Sequence, residues 1–236
     1  MRTIRFDLIS IFPGMFESPF AESILKRAQD QGLVEIRFHD LRKYTLDKHH
    51  RVDDYPFGGG AGMVMNVEPI DRAVRAVKQD RPRARTILMS PAGKLFDQQK
   101  ALELSRLAEI ILVCGRYEGV DERVPLHVVD EELSIGDFVL SGGEIAAMAV
   151  VESVARLVPG VIGDAACLEE ESFSHGLLEY PQYTRPRDYQ GAKVPEVLVS
   201  GDPKKIRAWQ QQEALKKTAR HRPDLLKKSE SNGSAS

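Results

Sequence analysis

Residues 110–114 read Ile-Ile-Leu-Val-Cys, an unbroken apolar run with Glu109 before it and Gly115 after it. A strand with one face in water alternates apolar and polar side chains, so a short continuous run closed by glycine marks a strand covered on both faces. Such a strand needs packed layers above and below it, which points to helices on both sides of a mainly parallel sheet. The rest of the chain supplies the parts. Residues 3–11, 33–39 and 86–90 read as strands, and 127–130 and 138–140 as shorter apolar stretches. Residues 20–29, 98–107 and 143–157 read as helices, as do 67–78, where Val67, Ile70, Ala73, Val74 and Val77 fall at helical spacing. Residues 40–62 form a long loop, polar and then glycine-rich, and Pro91-Ala92-Gly93 is expected to turn. Strands alternating with helices give an α/β class.

The 42% apolar content over 236 residues is enough for a buried core and excludes disorder for most of the chain. No apolar run approaches the length of a membrane span, and Arg2, Arg5 and Asp7 interrupt the start, so no membrane partner and no signal peptide are expected. Cys114 and Cys167 form no CxxC, which fits a reducing cytoplasm.

Taken as a whole-chain figure, the formal net charge of −2 disfavours a nucleic-acid partner. The charge is uneven, however. From Asp202 onward nine Lys and Arg face four Asp and Glu, a balance of +5, and the remainder of the chain carries −7. This basic end is either a solvated helical face or a module that meets phosphate. It begins with a helix over residues 203–217, capped by Asp202 with Pro203 in the first turn. Pro223 is placed to open another short helix, residues 161–191 carry few periodic signals, and the Ser-rich tail 229–236 is expected to be disordered.

Several familiar chemistries find no support. Residues 58–62, Gly-Gly-Gly-Ala-Gly, lack the GxGxxG spacing and the Lys-Ser/Thr of a phosphate loop. His49, His50, Asp53 and Asp54 match no standard metal spacing, and GxSxG and HExxH are absent. What does stand out is three glycine-bearing segments after apolar stretches: residues 90–93, 115–119 and 135–144. In open α/β sheets ligands sit beyond the carboxyl ends of strands, where glycine lets backbone approach closely. Ordinary tight turns would explain any one of these loops; three in one domain favour a ligand site.

Four longer motifs carry a resemblance: Val52-Asp53-Asp54-Tyr55-Pro56-Phe57-Gly58-Gly59-Gly60-Ala61-Gly62-Met63, Cys114 through Arg123, Ser134 through Glu144, and Tyr183-Thr184-Arg185-Pro186. In this order they resemble the bacterial tRNA (guanine-N1)-methyltransferases, the TrmD family, over nearly the whole chain. The resemblance implies methyl transfer from S-adenosylmethionine to N1 of guanosine-37 of tRNA. It implies a SPOUT fold, an α/β sheet with a C-terminal trefoil knot, and a homodimer. It divides the chain into a catalytic domain (1–160), a linker (161–175), a small helical tRNA-binding domain (176–228) and the tail. By position, Met89, Ser90, Pro91, Gly115, Tyr117, Ile135, Gly136, Asp137, Phe138, Val139, Leu140, Gly142 and Gly143 would line the cofactor pocket. Glu171 matches the catalytic base and Arg156 the catalytic arginine. Asp53, Gly58, Gly59, Gln182, Arg185, Arg207, Lys216 and Lys217 would meet tRNA. The family also uses magnesium, for which no ligand cluster stands out in the sequence.

The chain departs from the common family pattern in places: Glu171 where aspartate is frequent, Gln182 for histidine, Phe138 for tyrosine, and Glu179 for the aspartate of Leu-Leu-Asp. Two rival readings remain at this point: another knotted RNA methyltransferase, or a non-catalytic RNA-binding protein of the same fold. The carboxylate before Ser172-Phe173 and the near-intact segment 135–143 speak against them.

Overall fold

The computed structural model describes residues 2–226, so the expected tail 229–236 lies outside the described residues. The chain divides into two compact units, with the boundary between Gly163 and Asp164. In chain order the elements are β1 (Ile4–Ser10), α1 (Glu17–Phe20), α2 (Ser23–Asp30), β2 (Val34–Asp40), β3 (Asp53–Asp54), β4 (Val64–Met65), α3 (Val67–Asp80), β5 (Arg85–Leu95), α4 (Gln98–Ser105), β6 (Glu109–Cys114), α5 (Arg123–His127), β7 (Glu131–Ser134) and α6 (Glu144–Ala155) in the first unit. The second unit holds α7 (Ala165–Glu170), β8 (Asp188–Tyr189), β9 (Ala192–Lys193) and α8 (Pro203–His221).

Five strands make one sheet in the order β2-β1-β6-β5-β7, and every pairing in it is parallel. The continuous apolar run of β6 is explained by the two cores it serves. Ile110, Leu112 and Cys114 join Phe6, Leu8, Ile87 and Met89 under α2, α4 and α6. Ile111 and Val113 face the other way, with Ile9, Leu88 and the Ile70, Ala73 and Val74 stripe of α3. Each fully buried aliphatic side chain of this kind stabilises the fold by about 1.5–3 kcal/mol.

Asp7 is a buried polar exception in β1. His39 Nε2 lies 2.7 Å from its Oδ1 and Arg81 Nε 3.4 Å from its Oδ2, while Arg81 also reaches Glu35 at 3.2 Å. A buried carboxylate needs such partners, and here they tie β1, β2 and the end of α3 together.

The structure corrects one local expectation and places the two short apolar stretches outside the sheet. Residues 91–93 do not end a strand: β5 runs on to Leu95, and both Met89 and Lys94 pair with Leu133, so residues 90–93 are a bulge within it. Gly93 is required there by space, since a Cβ would fall 2.4 Å from the backbone nitrogen of Leu133. The sheet strand near residue 130 is the polar Glu131–Ser134, and the apolar residues before it belong to α5 and its end. Arg85 (3.1 Å) and Lys100 (2.7 Å) pair with Glu131, which makes a charged residue acceptable on this edge strand. Residues 138–140 are loop, held by Phe138 N–H donating to Gly136 C=O.

In the second unit, α8 starts as its cap predicts, with the Asp202 carboxylate accepting from Lys204 N and Lys205 N. The helix runs four residues past the expected end, to His221, and residues 223–226 are again helical. Two features were not anticipated. Residues 165–170 form α7, and β8 and β9 make a hairpin about Gln190 and Gly191, both at positive φ, within a segment expected to be helical.

Gly93→Ala is expected to destabilise the first unit by about 1–3 kcal/mol, because backbone on the facing strand cannot yield as a side-chain tip can. A urea denaturation midpoint that matches the unsubstituted protein would contradict this account of the bulge.

Candidate active site

A cavity of about 400 Å³ opens at the bulge of β5 and beyond the carboxyl ends of β6 and β7. The bulge of β5, the loop after β6 and the long loop after β7 line it, the three glycine-bearing segments singled out in the sequence. The loop after β7 returns to β6, where Gly143 N–H donates to Gly115 C=O at 2.9 Å and Gly142 bridges to Arg116. That return requires residues without side chains: a Cβ on Gly143 would lie 2.9 Å from Cys114 Cα, and one on Gly142 2.1 Å from Arg116 Nε. Twelve of the thirteen expected cofactor positions line the cavity; Asp137, exposed at the tip of its loop, does not.

Thirteen further residues line this wall outside the expected positions, Arg116 and Val120 among them. Arg116 lines the cavity between Gly115 and Tyr117, and Val120 lines it from the same loop. Flanked by glycine-loop residues, Arg116 reads as a surface cation. Its partner, Glu144, stands 28 residues away, and only the fold brings the two within 2.9 Å.

The glycine-rich segment 52–66 is stitched to the loop after β6. Glu118 N–H donates to Met63 C=O, Met65 N–H to Gly119 C=O and Asp121 N–H to Met65 C=O, at 2.9–3.0 Å. Asp53, in β3, thereby comes to the Tyr117 side chain, whose hydroxyl is pushed above the usual tyrosine range by burial and then by the Asp53 carboxylate. Tyr117 also holds φ at +60°, a sparsely populated conformation for a residue with a side chain, of the kind that clusters at ligand sites. Gly58 and Gly59 are exposed on the same segment, beside the fully exposed Phe57. Downstream, hydrogen bonds from Arg123 hold the Asp121 carboxyl down at about 2, and Asp121 accepts from Arg123 N–H at 2.9 Å where α5 begins. Below the loop the Cys114 thiol is buried, and burial pushes its ionisation well upward.

Arg156 follows the last turn of α6. Glu171 lies in the second unit, after α7, where it lines a separate cavity of about 450 Å³ with Glu170, His175, Tyr180 and Arg207. The chain around it is pinned to α8: Thr218 Oγ1 accepts from Leu178 N–H and donates to Ala214 C=O. Glu179 N–H donates to Ser172 Oγ, and the Gln182 amide donates to the Glu179 carboxylate at 2.6 Å. Gln182 and Arg185 are exposed. The neighbouring Tyr183 ring packs on Trp209 of α8, centroids 6.3 Å apart. Lys216 is exposed and paired with Glu213 at 2.7 Å, and Lys217 is half-buried. Among the described residues, no group of three or more His, Cys, Asp or Glu is placed to hold a metal ion, and no helix is long and apolar enough to cross a membrane.

The profile of the tRNA (guanine-1)-methyltransferase family TrmD matches residues 4–228. The chain belongs to the TrmD family. Curated relatives agree over almost their whole length. The tRNA (guanine-N(1)-)-methyltransferase of Dictyoglomus turgidum is 59% identical over 225 residues, 95% of this chain and 91% of that protein. Those of Geobacter sp. strain M21 and Limosilactobacillus fermentum are 53% and 52% identical, each covering 90% of the relative. The chain is therefore a tRNA methyltransferase, and its family implies S-adenosylmethionine as methyl donor.

Asp53→Asn is expected to bring the Tyr117 hydroxyl part of the way back toward the ordinary tyrosine range, since it removes the carboxylate but not the burial. A pH titration of ring-labelled tyrosine by NMR reads this directly, and an unmoved Tyr117 titration would show that burial alone sets it.

Proposed function

We propose that this chain transfers the methyl group of S-adenosylmethionine to N1 of guanosine-37 in tRNA, beside the anticodon, with Glu171 as base and Arg156 as the cation facing O6. The observation that carries the reading is the cavity at the strand ends, built from the three glycine-bearing loops of a chain that belongs to this family. At about 400 Å³, with apolar walls from Ile135, Phe138 and Leu140, it has the size and lining of a small-molecule site. Backbone N–H and C=O groups of the three loops would read an adenine edge, and Met89, Ser90, Pro91, Gly115, Tyr117, Gly136, Val139, Gly142 and Gly143 complete the enclosure. When bound, the donor supplies an electrophilic methyl group on sulfonium.

Guanine N1 carries a proton and is a poor nucleophile until that proton leaves. The Glu171 carboxylate accepts it, and the Arg156 guanidinium stabilises the negative charge that develops on O6. The target lies in a single-stranded loop, so its base can be turned out and held by its edges. Asp53, Gly58 and Gly59 serve the guanine; Gln182, Arg185, Arg207, Lys216 and Lys217 serve the anticodon stem and loop, the lysines and arginines through phosphate. The return of residues 142–143 to Gly115, close beside Met89 of β5, supports a knotted connection. Residues 176–228 act as the tRNA-binding domain of a cytoplasmic homodimer. Among the described residues no group of three or more His, Cys, Asp or Glu stands ready for magnesium.

Incubation with radiolabelled S-adenosylmethionine and transcripts bearing G or A at position 37 is expected to label only the G transcript, and equal labelling of both would reject the reading. Glu171→Gln is expected to lower the single-turnover rate by about 10²–10⁴-fold with donor affinity retained; an unchanged rate would remove Glu171 as the base.

A further inference from the structure

Glu144 opens α6 and is fully buried, and the reaction above gives it no part. Both its carboxylate oxygens are engaged. Ser10 Oγ donates to Oε1 at 2.5 Å, and Arg116 Nε donates to Oε2 at 2.9 Å. Ser10 is itself fully buried at the end of β1, where its hydroxyl also accepts from Phe12 N–H at 2.8 Å. A buried ion pair is a poor source of stability, because desolvation offsets the attraction and apolar replacements are often as stable. What this pair achieves is a fixed direction for one guanidinium. Gly142 gives it passage, since a Cβ there would lie 2.4 Å from Arg116 Cδ, and the Phe12 ring supports its face at 4.7 Å from the centroid. Beyond Nε, the guanidinium's one hydrogen-bond contact among the described residues is the Met15 sulfur, at 3.0 Å. Among the described residues no oxygen accepts from its outer nitrogens, although Arg116 lines the cavity with its side chain largely shielded from water.

We propose that Glu144, held by Ser10, is a positioning residue that fixes the Arg116 guanidinium at the cavity as the seat for an oxyanion. With Nε committed to Glu144, the outer N–H groups keep the planar fork that suits a carboxylate or a phosphate. The oxyanion has two sources: the carboxylate of the donor's methionyl part, or a phosphate of the RNA. The proposal rests on the cavity being the methyl-donor site.

The test uses the full chain and two probes that share the adenosine and thioether parts, S-adenosylhomocysteine with its carboxylate and 5′-methylthioadenosine without it, together with tRNA transcript. If the donor carboxylate is the ligand, Arg116→Ala weakens S-adenosylhomocysteine about 10- to 100-fold and leaves 5′-methylthioadenosine unchanged. If an RNA phosphate is the ligand, both nucleosides bind as before, tRNA affinity falls, and its salt dependence flattens by about one phosphate contact. Glu144→Gln reproduces the loss in the same arm, and adds little in an Arg116→Lys background, where the anchored Nε is gone. Ser10→Ala shows the same selectivity at smaller size and carries the test where Glu144→Gln melts early. Arg116→Ala with all three affinities and the salt slope unchanged overturns the seat. A folded Glu144→Gln protein with the affinities of the unsubstituted chain overturns the positioning role. Failure of the unsubstituted protein to bind either nucleoside is a different result: it rejects the donor-site reading and the carboxylate source, and leaves the tRNA arm to decide the seat.

Discussion

The constraint on which the first unit depends is that β6 must be dry on both faces. Its side chains serve two cores in alternation, and each core recruits its own helices, α2, α4 and α6 on one side and α3 and α5 on the other. With both faces covered and parallel neighbours on both edges, the places left for a ligand are the strand ends. The cavity follows from this economy of surface. It lies where the chain leaves the sheet, and glycines there let three loops converge that would otherwise hold one another apart.

Convergence of this kind places unusual demands on backbone. The loop after β7 lies so close to β6 and β5 that side chains at residues 142 and 143 would strike Cys114, Met89 and Arg116. The same closeness lets Glu144 reach Arg116, and through Ser10 it ties the end of β1 to the start of α6. A buried charge is tolerated because both oxygens are satisfied, and because α6 begins there, where helix N–H groups favour a negative side chain. The second unit is ordered by different means. The buried Thr218 hydroxyl fastens residue 178 to α8, and side chains of Glu170, Ser172 and Glu179 hold the segment that carries Glu171.

The sheet was legible because its cause is local. The run at residues 110–114 and the Asp202-Pro203 start of α8 each carry the whole physical reason for their element. What stayed illegible depends on a distant partner. β5 continues through Pro91 and Gly93 only because Leu133 accepts pairing twice, and β7 is a strand despite its two glutamates because Arg85 and Lys100 neutralise one of them. The hairpin about Gln190 and Gly191 did carry a signal, a glycine-containing two-residue turn, but its strands are too short to show alternation. The site divided in the same way. Glycine loops announced the cavity, and the motifs named the residues around it. Arg116 went unnoticed because its meaning lies in Glu144, whose burial no spacing in the sequence reveals.

The placement of the two thiols sets how the protein meets oxidants. Cys114 ends β6, where it is shut away from solvent and burial keeps its thiol protonated and unreactive. Cys167 is exposed in the second unit. Peroxide or a disulfide reagent therefore finds its target thiol at Cys167, and the Cys114 thiol is reached only when the sheet itself opens. Loss of the Cys114 thiol to modification would thus report global unfolding, and loss of Cys167 would not.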